Sequence, residues 1–104
     1  MTIETRKEYM AKSHEDRDHH AFYAQFVTEA EKAEVIRMWT LEGLCSSVDE
    51  HMNDRPLKYW DRGCLSYESS QLMKQAGMGY SLSNLVCTLK TAARIVVAEA
   101  KEQQ

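Results

Sequence analysis

The sequence predicts an all-α protein, a compact bundle of about five helices that ends in a long C-terminal core helix. Apolar residues recur at helical spacing in several segments, capping signals precede those segments, and no stretch alternates apolar and polar residues as a strand would. The chain has 104 residues, which fits one helical domain over 1–104 with a single core.

The N-terminal quarter combines a polar segment with a predicted helix. Segment 1–12 has few apolar residues, a composition typical of a first helix that is frayed, flexible or dependent on a partner. A helix is predicted over 13–27, where a Ser-x-x-Asp sequence provides a variant of the capping box. Phe22 and Phe26 lie one turn apart on this helix, so both are expected to face the core.

The next predicted helix spans 29–42 and opens with a fuller capping box. Thr28 and Glu31 have the spacing at which each side chain can bind the backbone N–H of the other residue. Gly43 is expected to end the helix. Apolar residues recur through this segment at 3.6-residue spacing: Val35, Ile36, Trp39 and Leu44.

Three further helices are predicted in the C-terminal half. A short one follows Pro56, and another runs over about 67–76 until Gly77 stops it in a left-handed conformation. The last begins after the N-cap Ser81 and keeps an apolar rhythm as far as Lys101. This helix is expected to form the spine of the core.

Composition and charge disfavour several classes of function. The formal net charge is −3, so the chain has no basic field that would attract DNA or RNA directly. Three cysteines without a paired motif are typical of free thiols in a reducing compartment, which predicts a cytoplasmic protein. The longest run without a charge is broken by glycine and polar residues, so no membrane association is expected.

A cluster of histidines and carboxylates near the N-terminus is one candidate site. On a helix Glu15 would face His19 and Asp16 would face His20, and carboxylate and imidazole groups one turn apart can bind a divalent metal or share a proton. An exposed polar face with weak acid–histidine pairs is the alternative. No motif supplies the further ligands, so no cofactor is predicted, and the metal candidates are limited to three histidines: His14, His19 and His20.

Segment 49–62 is the second candidate, because it is dense in both charges and aromatic groups. Aromatic residues and arginine are the residue types that anchor protein interfaces. Alternatively, Leu57 and Trp60 fill the core while neighbouring charges cap helices. The acidic residues and the histidine of this segment could also form an acid/base site, but the sequence does not fix their geometry. The predicted partner-binding residues are His51, Arg55, Tyr59, Trp60 and Arg62.

Three blocks of the sequence resemble small uncharacterised proteins encoded by bacteriophages and prophages. They are HHAFYAQFV (19–27), DEHMNDRPLKYWDR (49–62) and SLSNLVCTLKTAAR (81–94). The resemblance covers about a third of the chain and implies a bacterial host cytoplasm. It also implies a setting in which small proteins bind and inhibit host machinery, including CRISPR and other defence systems.

These observations lead to one main functional hypothesis and two alternatives. The main hypothesis is a non-catalytic protein that binds and inhibits or modulates a host or phage protein, as a monomer or as a homodimer. The first alternative is a small metal- or ligand-binding protein that uses segment 14–20 together with His51. The second is a dimeric transcriptional regulator, although the last helix offers only three basic residues for a DNA contact: Lys90, Arg94 and Lys101.

Overall fold

A computed structural model describes residues 3–48, 65–79 and 81–103, and within them it forms helices and no strands. The predicted all-α fold with a long C-terminal helix is confirmed. The short helix predicted after Pro56 lies outside the described residues. The described part contains six α-helices: α1 (Arg6–Ala11), α2 (His19–Ala24), α3 (Glu29–Met38), α4 (Leu41–Ser46), α5 (Tyr67–Gln75) and α6 (Leu82–Glu102); a 3₁₀ turn at His14–Asp16 lies between α1 and α2.

Helix α6 is the spine of the fold, as its apolar rhythm predicts. The Ser81 hydroxyl accepts a hydrogen bond from the backbone N–H of Asn84 at 3.2 Å, which confirms the predicted N-cap. Helices α2, α3 and α4 all pack against α6. Small side chains on its buried face allow this close approach, and the buried residues are Leu85, Thr88, Leu89, Thr91, Ala92, Ala93 and Val96.

The single helix predicted over 13–27 is wrong, because the chain breaks between the 3₁₀ turn and α2. The Ser13 hydroxyl binds the Asp16 carboxylate at 2.8 Å and caps no backbone N–H, so the predicted capping box does not form. Arg17 and Asp18 are extended, and the Asp18 carboxylate caps α2 by accepting from the N–H of Ala21. The prediction that Phe22 and Phe26 face the core is confirmed.

The helix predicted over 29–42 is also divided. The capping box that opens α3 forms as predicted, but Trp39 adopts an extended conformation and ends the helix. Thr40 then caps α4 by accepting from the N–H of Gly43, so Gly43 lies inside a helix and does not end one. Val35, Trp39 and Leu44 are buried, whereas Ile36 is 56% exposed because it lies on the outer side of α3.

Hydrogen bonds join the N-terminal segment to the residue that ends α5 and to Gln25, which ends α2. The backbone N–H of Arg6 donates to the Ala76 carbonyl at 2.7 Å, and Gln25 exchanges two hydrogen bonds with the Glu4 backbone. Segment 1–12 therefore contains a helix that is docked on the fold. Gly77 has φ +75° after the C-terminus of α5, which is the predicted left-handed stop.

Two clusters of buried side chains form the core of the described residues. The larger lies between α6, α3 and α4: Val35, Trp39, Leu44, Leu85, Leu89, Ala92, Ala93 and Val96. The second lies between α2 and α5, with Tyr9 of α1 stacked on Phe22 at a centroid distance of 4.3 Å: Phe22, Tyr23, Phe26, Met73 and Ala76. None of the described helices has the length and apolar composition needed to cross a bilayer.

Candidate functional site

A groove lies between α3 and α6, and Leu41 of α4 also lines it. Its cavity volume is about 310 Å³. We call it the α3–α6 groove, and its lining residues are Glu29, Lys32, Ala33, Ile36, Leu41, Val96, Glu99, Ala100 and Gln103.

The walls of the α3–α6 groove are mostly apolar. Ile36 and Leu41 are 56% and 44% exposed. Ala33 is also exposed, and Val96 forms the buried floor. Adjacent exposed apolar side chains in a concavity are characteristic of an interaction surface, whereas single scattered ones are ordinary.

One ammonium group and two carboxylates form the charged end of the α3–α6 groove. Lys32 Nζ lies 2.9 Å from Glu29 Oε1 and 3.0 Å from Glu99 Oε1, so it joins α3 to α6. Hydrogen bonds to Glu29 and then to Glu99 raise the pKa of Lys32 above its ordinary value. This end therefore carries one negative charge in excess.

A buried carboxylate, Glu31, fixes the start of α3. It is only 2% exposed and accepts from the backbone N–H of Thr28 at 3.1 Å, from the Thr28 hydroxyl and from the backbone N–H of Ser66 at 2.6 Å. The Ser66 hydroxyl in turn caps α5 at Ser69. Both carboxylate oxygens are occupied by structural donors and Glu31 does not line the α3–α6 groove, so we assign it a structural role.

A second polar group, the Tyr23 phenol, connects α2 to α6. Its hydroxyl donates to Asn84 Oδ1 at 2.9 Å, and Asn84 Nδ2 donates to the Gly79 carbonyl at 2.6 Å. Burial, and next the neighbouring Cys87 thiol, raises the pKa of Tyr23 to about 12. The phenol therefore stays protonated at neutral pH and serves as a hydrogen-bond donor.

The structure does not bring the histidine candidates together as one helix would. His14 belongs to the 3₁₀ turn, whereas His19 and His20 begin α2, so the expected pairs of Glu15 with His19 and of Asp16 with His20 do not share a helix. All three histidines are exposed. Within residues 3–48, 65–79 and 81–103, no three His, Cys, Asp or Glu side chains are grouped so that they could hold a metal ion.

The predicted partner-binding residues all lie in segment 49–62, outside the described residues: His51, Arg55, Tyr59, Trp60 and Arg62. Of the three basic residues of α6 that the regulator hypothesis needs, Lys90 and Arg94 are half-buried and Lys101 is exposed.

No protein-family model, curated protein or solved structure matches this chain.

Sequence reasoning missed the α3–α6 groove. It assigned Ile36 to the same inward rhythm as Val35, and it did not select Leu41. The helical angle does not separate Ile36 from the core, because Val35, Trp39 and Ile36 lie within about 100° of one another around the helix. The buried direction becomes clear only in the structure, where Glu31 is buried on the side of Val35 away from Ile36. No local signal indicates that α6 supplies the other wall.

Proposed function

We propose that the protein is a non-catalytic binding protein that holds a helical segment of a second polypeptide in the α3–α6 groove. The observation that carries this proposal is the pair of exposed apolar walls, Ile36 and Leu41, beside a cavity of about 310 Å³. A channel between two helices with apolar walls suits an amphipathic helix, which inserts apolar side chains at helical spacing.

The contacts that fix the three helices around the groove support a binding role. Glu31 fixes the start of α3, Thr40 caps α4, and α6 is anchored along its buried face. Because these caps and buried contacts form the groove in the unbound chain, a partner would not have to offset the entropy of forming it. A preformed groove with apolar walls is thus suited to association.

The identity of the second polypeptide is a separate question. The sequence resemblance implies a phage-encoded protein acting on a bacterial host or phage protein, and an anti-defence inhibitor remains a prediction from that resemblance. The groove supports only the class of interaction, which is binding of a polypeptide through apolar contacts.

Site-specific photocrosslinking tests the proposal. A photoreactive benzoylphenylalanine at position 36 is expected to crosslink one defined polypeptide in lysate of the source cells. Position 10 is the matched control, because Met10 is also apolar, 48% exposed and in the last turn of its helix. Adding Leu41→Glu should remove the crosslink from position 36. Equal crosslinking from both positions, or none from position 36, would contradict the proposal.

A further inference from the structure

The outer face of α3 has a composition that is complementary to itself. Its exposed residues include an acid at the first position, small side chains in the middle and an apolar and a basic residue in the last turn. Glu29 is the acid, with 91% of its side chain exposed, and Arg37 is the base, with 59% exposed. The exposed residues of this face are Glu29, Ala30, Ala33, Ile36 and Arg37.

We propose that the polypeptide held by the α3–α6 groove is a second copy of this chain. The two α3 helices would run antiparallel, related by a two-fold axis beside Ala33. This inference rests on the proposed function, because it names the occupant of the same groove. A two-fold contact of this kind uses one surface patch twice, so the patch must complement itself.

The apolar contacts fit this arrangement because α3 has a small and a large side chain at equal distances on either side of Ala33. Ala30 and Ile36 lie three residues on either side of Ala33, so an antiparallel partner brings each large side chain toward a small one. Small residues at the crossing point allow two helix backbones to approach closely. The protruding Ile36 of each copy then meets Ala33 in the wall of the other copy's groove, and the adjoining Ala30.

The charges favour the antiparallel orientation over the parallel one. Glu29 and Arg37 each lie four residues, or about 6 Å along the axis, from Ala33. Antiparallel packing therefore brings Glu29 of each copy to the level of the other copy's Arg37. Parallel packing would align like charges. Within one chain Glu29 pairs with Lys32 and Arg37 with Glu34, and because Glu29 and Arg37 are the exposed members of these pairs, each can also contact a second copy.

Sedimentation equilibrium of the full chain, from low micromolar to several hundred micromolar, tests the proposal. The wild type is expected to approach twice the monomer mass of 12.0 kDa. Ile36→Glu should raise the dimer dissociation constant at least about a hundredfold, since the two-fold axis places the change twice in one interface. Met10→Glu, the matched control on α1, should leave the constant unchanged. Circular dichroism will verify that both variants keep their helices.

Charge reversal tests the orientation separately. Glu29→Arg and Arg37→Glu should each weaken the dimer by about five- to tenfold, the range expected for two exposed ion pairs. The double variant should recover most of the wild-type affinity because it restores opposite charges across the axis. A double variant weaker than both single variants would overturn the antiparallel arrangement.

The failure of this inference can be distinguished from failure of the proposed function. A wild type that stays monomeric overturns the second copy as occupant, and so does a dimer that Ile36→Glu leaves intact. If the monomer nevertheless crosslinks a different polypeptide from position 36, the proposed function stands without the second copy. If the monomer gives no crosslink specific to position 36, both fail.

Discussion

Two helices of the described residues, α1 and α3, begin with the same capping motif in different environments. In α1, Thr5 and Glu8 form a capping box at the surface, where the Glu8 carboxylate binds Thr5. In α3, Thr28 and Glu31 form the same box, but Glu31 is buried and also binds the backbone N–H of Ser66 from a segment 35 residues away. One motif therefore starts a helix locally, whereas the other also joins two distant parts of the chain.

The difference shows that burial determines how much a capping residue contributes to the free energy of unfolding. Water can replace the contacts of Glu8, because its surroundings are exposed. It cannot readily replace those of Glu31, because a buried N–H without an acceptor costs more than the hydrogen bond contributed. Glu31 also supports the wall of the α3–α6 groove, since its hydrogen bonds fix the start of α3. The comparison predicts a graded series of stability effects.

The largest effect is expected for Glu31→Ala. The substitution leaves the backbone N–H groups of Thr28 and Ser66 without their acceptor, so the free energy of unfolding should fall by about 3 kcal/mol. Urea denaturation followed by circular dichroism measures this change. Glu29→Ala is the control in the same helical turn, and its exposed side chain predicts a loss below about 0.5 kcal/mol. Similar losses for the two variants would remove the distinction between the buried and exposed boxes.

A smaller effect is expected for Glu31→Gln, which keeps the shape of the side chain but only one acceptor oxygen. The amide NH₂ replaces one carboxylate oxygen and faces a backbone N–H that this oxygen accepts from in the wild type. That N–H loses its acceptor, so the free energy of unfolding should fall by about 1–2 kcal/mol. The same urea titration on Glu8→Gln should show almost no change. If Glu31→Gln were as damaging as Glu31→Ala, the negative charge of Glu31, and not its two acceptor positions, would determine its contribution.

Sequence reasoning recovered the features that depend on near neighbours. The N-cap Ser81, the stop at Gly77 and the box of Thr28 and Glu31 are local signals, because each bond joins residues a few positions apart. It failed where two short helices share one apolar rhythm. The extended Trp39 separates α3 from α4 while Leu44 still reaches the core, so the periodicity continued across a break that it could not reveal.

The candidate site was less predictable than the fold, for a related reason. The α3–α6 groove combines residues from three helices, and Lys32 meets Glu99 across 67 positions of sequence. The contact between Glu31 and Ser66 is similarly invisible to any local pattern. Composition can suggest that a chain has spare apolar surface, but only packing decides that Ile36 is part of it.

The smallest effect in the series is expected for Glu8→Ala. Loss of the Glu8 carboxylate removes two exposed contacts to Thr5, while the hydrogen bond from the Arg6 N–H to the Ala76 carbonyl still joins α1 to the end of α5. The free energy of global unfolding should therefore fall by no more than about 0.5 kcal/mol. Amide hydrogen exchange locates the change, because exchange should accelerate in α1 alone, whereas Glu31→Ala should accelerate it in α3 and α5 as well. Faster exchange throughout the chain in Glu8→Ala would mean that the exposed box, too, links distant parts of the fold.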